Sequence, residues 1–208
     1  MNKYSIKIIL IYLLFALPMG LFGQTKGKVK GSIEFGPLIG PNLGFQISFE
    51  PKYNLTDRSN LGLRIELPGF FGRDVNLNDE TLFYDNESSN LAGIFLPITY
   101  EYYYGKRGKS FQPYIGGGFG YFKMNGDLTL YPSGELENSL TASSKGTIGG
   151  IAKFGFEWGK FRYGFAFTYV PDTDLITDTG QTVGQVRDYY VHFNVGFTLF
   201  GGKWKAQK

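Results

Sequence analysis

Nine ionisable residues recur where chemistry is possible. Glu34, Glu50, Lys52, Arg64, Glu66, Glu101, Lys153, Glu157 and Arg162 each stand in a stretch whose every second residue is apolar, and each falls on the polar side. Acids and bases gathered on one polar face can line a narrow ion path. They can also pair off and plug the space they share, because charge withdrawn from water must be neutralised. Glu157 with Arg162, and Glu50 and Lys52 diagonal to Arg64 and Glu66, fit the plug. A gate would use the same residues, so the two readings part only on whether the path conducts.

Other chemistries are poorly served. His192 is the single histidine, and Phe193 and Asn194 follow it, so no Ser lies two residues on. Ser88, Ser89 and Ser139 stand in polar connections without a motif to recruit them, and an interior hydrogen-bonded His192 is expected. One His and no Cys do not make a conventional zinc site. The absence of Cys also removes disulfides, a thiol nucleophile and a lipid-modified N-terminal cysteine. Asp172 and Asp174 alternate, but they lack the Gly and distal Glu of a calcium loop. The glycines at 116, 117, 118 and 120 lie in a strand pattern with no Lys-Ser/Thr after them. They make room inside a tight space rather than cradle a phosphate. No enzyme, cofactor or metal is expected.

The elements that place these residues are strands. Residues 143–170 show it best. Ile148, Gly150, Ala152, Phe154, Phe156 and Trp158 share one face, and Phe161, Tyr163, Phe165, Phe167 and Tyr169 continue it beyond Gly159 and Lys160. That is period two over about ten residues per arm. Gly at the first position of a two-residue loop suits a type II′ hairpin. The fold then sets Trp158 opposite Phe161 and Glu157 opposite Arg162. Each arm is long enough to cross a bilayer as a tilted strand.

Similar patterns cover residues 28–36, 43–53, 61–67, 92–104, 111–123 and 189–199. With the two hairpin arms they predict eight strands. The connections at 56–60, 105–109 and 159–160 are tight, and those at 68–89, 125–143 and 171–186 are long. Lys26, Lys28, Lys30, Lys106, Arg107, Lys109, Lys203 and Lys205 cluster at the tight end, while the long connections are acidic. The fold class expected is all-β, an eight-stranded antiparallel up-and-down transmembrane β-barrel occupying residues 24–208. A basic start and an apolar run make residues 1–23 a secretory signal peptide. Without it the chain holds 19 Lys or Arg and 18 Asp or Glu, a balance that gives no reason to expect nucleic acid.

Alternation alone does not distinguish this barrel from a soluble lipocalin-like one. Large aromatics on nearly every apolar face favour lipid outside. So does an aromatic girdle near the tight turns, formed by Tyr102, Tyr104, Phe111, Trp158, Phe161 and Tyr163.

The stretch 111–121, FQPYIGGGFGY, and the aromatic last strand, 189–200, carry a resemblance. The chain resembles the small OmpA/OmpX-like outer-membrane barrels of Gram-negative bacteria, and among them the porin-family barrels common in Bacteroidetes. The resemblance covers all of 24–208. It implies an exported, monomeric, non-enzymatic outer-membrane protein. Its partners would be outer-membrane lipid, lipopolysaccharide and the barrel-assembly machinery that reads the last strand. Long acidic loops would meet an external partner whose identity the resemblance does not give. A narrow ion-conducting pore is the alternative, and a lipid-modifying enzyme is weakened by the missing His-Ser spacing. Many such barrels end on an aromatic residue, whereas Gly201 to Lys208 follow Phe200 here.

Overall fold

The computed structural model describes residues 26–40, 43–71, 76–77, 84–104, 111–132, 138–177 and 179–200. Residues 1–23, read as a secretory signal, lie outside them. The described chain holds eleven β-segments. They are β1 (Val29–Ile39), β2 (Leu43–Asn54), β3 (Ser59–Leu63), β4 (Ile65–Phe70), β5 (Asn76–Leu77), β6 (Tyr84–Tyr103), β7 (Phe111–Pro132), β8 (Asn138–Ser144), β9 (Thr147–Trp158), β10 (Phe161–Thr177) and β11 (Thr182–Phe200).

Eight staves close into a ring. β1 pairs with β2, β2 with β3 and β4, and both of those with β6. β6 pairs with β7, β7 with β8 and β9, and these with β10. β10 pairs with β11, and β11 returns to β1. Every one of these pairings is antiparallel. Closure leaves no backbone edge along the ring, which a lipid-facing sheet requires.

The hairpin at Gly159 has the expected register. Trp158 faces Phe161 and Glu157 faces Arg162. Gly159 has φ of 64°, the left-handed conformation that a two-residue hairpin loop needs at its first position.

The long connections are shorter than the sequence pattern implies. β4 runs to Phe70 and β6 starts at Tyr84, so much of 68–89 is strand. β7 runs to Pro132 and β8 starts at Asn138, inside the stretch 125–143. β10 continues to Thr177 and β11 starts at Thr182, inside 171–186. Strands that rise above an apolar layer keep their hydrogen bonds but need no apolar face. They therefore lose the alternation that reveals them in sequence. β1 and β2 stop lower, at Ile39 and Leu43. Above them β5 pairs with β11 through Leu77 and Gly184, occupying an edge that β1 leaves open.

Two adjacent staves slip by one residue as they leave this layer. β9 turns Gly149, Ile151 and Lys153 inward, whereas β8 turns Ala142 and Ser144 inward. β10 buries Ala166, Thr168 and Val170, then Thr173, Leu175 and Thr177. Their mutual register survives, with Tyr169 on Gly150 below the slip and Leu175 on Ser144 above it. The slip is taken against β7 and β11 instead.

The surface is inverted relative to a soluble protein. Phe119, Phe154, Phe165, Ile47, Leu67 and Ile98 are among the large apolar side chains exposed on the outside, while Lys, Arg and Glu are buried inside. Among the described residues, no outward position between the tight turns and Lys123 carries Lys, Arg, Asp or Glu. Tyr53, Tyr104, Trp158 and Phe161 ring the turn end of this face, and Tyr121, Tyr169 and Tyr189 mark its other limit. Phe161 to Tyr169 rises about 27 Å along the strand, or about 20 Å after a tilt near 40°. That is close to the apolar band of a membrane barrel.

Phe165 lies mid-band, stacked on Phe154 and beside Phe193, whereas its neighbour Ala166 is buried in the lumen. Phe165→Arg is expected to cost about 2–4 kcal/mol in urea titrations in liposomes, and Ala166→Ser under about 1 kcal/mol. The opposite ranking would reverse the assignment of faces.

Candidate functional site

All nine ionisable residues singled out by their spacing lie inside the barrel, in one network. Lys30 joins them. Five cations (Lys30, Lys52, Arg64, Lys153, Arg162) meet five glutamates (Glu34, Glu50, Glu66, Glu101, Glu157), each less than 5% exposed. The network is formally neutral.

Nearest the tight turns, the Lys30 ammonium straddles Glu157, 2.5 and 2.6 Å from its two oxygens. The Tyr103 hydroxyl donates to Glu157 Oε1 at 2.8 Å. Arg162 Nη1 reaches the same oxygen at 2.7 Å, its Nη2 bonds Glu101, and its guanidinium lies 3.8 Å over the Tyr114 ring. Arg162 Nε is 2.6 Å from Glu34 Oε1 as an ion pair, without hydrogen-bond alignment. Such planar stacking and forked donation are what guanidinium offers and ammonium does not.

Two carboxylates act as hubs above this group. Glu101 takes Lys52 at 2.8 Å, Lys153 at 2.7 Å and Arg162. Glu50 takes Lys153 at 2.5 Å, Lys52 at 3.0 Å, Arg64 at 3.4 Å and the Thr99 hydroxyl at 2.5 Å. Arg64 then spans from Glu34, at 3.0 Å, to Glu66, at 2.7 Å. Tyr190 donates to Glu66 at 3.2 Å. Two inward glycines make the crowding possible. A Cβ on Gly116 would stand 2.8 Å from Glu101 Cγ, and one on Gly62 the same distance from Thr99 Oγ1.

The outer half of the lumen is different, and the sequence did not reveal it. Leu38, Phe70, Leu91, Phe95, Phe122, Met124, Val170, Leu175 and Tyr190 form one buried apolar cluster there. Phe95 meets Phe122 edge-on at 5.9 Å, and Phe70 meets Tyr190 at 5.4 Å. Tyr190 belongs to both zones, ring among the apolar groups and hydroxyl on Glu66. His192 is interior and hydrogen-bonded, as expected, between Gln46, Asn194 and Thr168. Its Nε2 lies 3.9 Å from Glu66.

Lys30 corrects an expectation. The sequence groups it with the exposed basic residues at the tight end, yet it is 3% exposed. Its alternation with Ser32 and Glu34 was the available signal. Tyr103 and Tyr114 also belong to the network, and Tyr103's parity with Glu101 could have placed it. Among the described residues, no group of three His, Cys, Asp or Glu is arranged to hold a metal.

The charges are saturated by one another, so removing one strands its partners. Arg162→Met leaves Glu101 and Glu157 each short of a cation. It is expected to destabilise the barrel by about 3–5 kcal/mol in urea unfolding in liposomes. Replacing both members of a pair, Lys30→Met with Glu157→Met, is expected to cost less than the sum of the two single changes. Additivity would show that the pair is not coupled.

No protein-family model matches the chain, and no curated protein matches it in sequence. Solved structures do match. A major outer membrane protein from Thermus thermophilus aligns with a TM-score of 0.52 at 13% identity, over 82% of this chain and 98% of that one. The outer membrane protein OprG from Pseudomonas aeruginosa gives 0.50 at 13% identity, over 86% and 99%. At such identities the likeness speaks to fold alone, and it agrees with the closed antiparallel ring. This chain has the architecture of the small eight-stranded outer-membrane β-barrels.

Proposed function

We propose that the protein is a non-enzymatic barrel of a Gram-negative outer membrane, closed to ions, whose raised outer end meets envelope components or an external partner. Export through a cleaved signal at 1–23 and insertion by the barrel-assembly machinery belong to the same reading. So do a monomeric state and a Bacteroidetes-type origin. The inverted surface carries it: an uncharged apolar exterior around a lumen filled by paired charge. Such a surface is stable against lipid and unstable against water. The acidic outer extensions, clear of the lipid band, are the part left to face a partner.

The ion-pair zone alone would favour the second reading, a narrow pore, since a chain of polar groups runs from Lys30 to Glu66. The apolar cluster above it opposes conduction. A packed hydrophobic constriction excludes water, and ions do not cross without it.

Single-channel recording separates the two. Protein purified from outer membranes and placed in a planar bilayer is expected to be silent, with insertion confirmed by a heat-modifiable gel band. Glu157→Gln and Arg162→Gln are expected to stay silent, because the apolar layer remains. Phe95→Ser with Phe122→Ser is expected to produce discrete steps. Steps from the unaltered protein would establish the pore and overturn closure.

A further inference from the structure

The charges of this chain sort into three zones along the barrel. Beyond residue 25 there are 19 Lys or Arg and 18 Asp or Glu. Five of each lie in the lumen. By sequence position, ten of the remaining 14 cations precede β1, follow β11 or lie in the connections 55–58, 104–110 and 159–160, and four lie elsewhere. Of the remaining 13 acids, only Asp57 belongs to the first group. Counted along the sequence, the two groups carry formal charges of about +9 and −8 at neutral pH, and the lumen zero.

Geometry sharpens this asymmetry. Among the described residues, the β10 acid Asp174 is raised. Asp174 sits five residues beyond Tyr169, about 16 Å further along the strand, and Gln185 and Lys145 hold it there at 3.2 Å each. Hydrogen bonds from these two keep its carboxyl below the usual range. The described turn-end cations, Lys26, Lys28, Arg58 and Lys160, are instead held close to the girdle. Arg58 lies in the β2–β3 turn, and its carbonyl accepts from Tyr103 N at 2.7 Å. Lys160 lies in the two-residue β9–β10 turn, and its carbonyl accepts from Thr198 N at 2.7 Å. Lys26 N donates to Asp57, and Gly27 N to the Asn54 carbonyl. Lys26, Lys28 and Arg58 are exposed. The sequence adds Lys106, Arg107 and Lys109 between β6 and β7, and three lysines after β11. Tyr53, Tyr104 and Trp158, half to two-thirds exposed, stand immediately beside this rim.

We propose that the turn-end rim is a binding collar for the phosphates of anionic phospholipid on the periplasmic leaflet. Aromatic rings of a girdle sit at headgroup depth, so cations one or two residues beyond them meet lipid phosphate directly. Backbone ties fix the turns that carry them, which lowers the ordering cost of each contact. Acids, which would repel the same lipid, are almost absent from this end. The collar does not depend on what the outer end binds, but it does depend on the membrane placement proposed above.

The test is lipid selectivity. Purified protein is reconstituted in phosphatidylcholine with trace spin-labelled phosphatidylglycerol or phosphatidylcholine, and the motionally restricted fraction is compared. Phosphatidylglycerol is expected to be enriched at least about threefold at low salt, falling toward parity at about 1 M salt. The triple variant Lys28→Gln, Arg58→Gln, Lys160→Gln, verified as folded by its heat-modifiable band, is expected to lose most of the enrichment. Lys123→Gln with Lys145→Gln, at the outer limit of the band, is expected to keep it. Equal affinity for both lipids, or selectivity that survives high salt or follows the outer pair, would overturn the collar. Failure to insert at all would instead sink the membrane placement.

Discussion

Charge enclosed between lipid walls has to be cancelled where it stands, and the rest of this barrel depends on that condition. Water cannot come through the wall to solvate a stray carboxylate, and the lumen is too full to bring it from the ends. Ten charged side chains meet the condition together, with Glu50 and Glu101 each shared among three cations. The members come from β1, β2, β4, β6, β9 and β10, with Arg64 at the β3–β4 junction. A one-residue slip of any of these staves would turn a charge into lipid and strand several partners. The network thereby specifies register even where its pairs add little net stability.

The two halves of the lumen divide this labour. Paired charge is a poor general stabiliser but a demanding address label. An apolar cluster is the reverse, tolerant of rearrangement and effective at excluding water. Tyr190 couples them, since its ring is fixed among Phe70 and its neighbours while its hydroxyl is committed to Glu66. Arg162 plays a similar part lower down, joining Glu34, Glu101 and Glu157 while stacked on Tyr114.

Much of this was legible because lipid enforces alternation. Leu61, Leu63 and Leu67 against Gly62, Arg64 and Glu66 define the two faces, and the Gly159 turn fixes one register outright. Legibility failed wherever both faces share a character. Phe95 lies between Ile94 and Leu96 and Phe122 follows Tyr121, so in these stretches the inward and outward side chains are both apolar and an apolar interior looks the same as an apolar exterior. Tyr103 is hidden between Tyr102 and Tyr104 for the same reason. Lys30 follows Lys26 and Lys28 in sequence, and its parity with Ser32 and Glu34 within β1 is the signal that separates it from them. The upper strands resemble loops in sequence because beyond the lipid band their outward positions need no apolar side chains, as Asp172 and Asp174 show against the buried Thr173 and Leu175.

The matched slip of the β8/β9 stave with β10 has an evolutionary consequence. Each bulge alone would misalign its own hairpin. Because both fall together, the outer part of that hairpin is offset from β7 and β11 while its two strands stay aligned with one another. The outer part can then gain or lose residues in pairs without moving Lys153, Glu157 or Arg162 out of place. A sequence change confined to one of the two staves has no such freedom. Related chains should therefore vary in length here by coordinated steps, one on either side of residues 145 and 171, while the membrane portion holds its length.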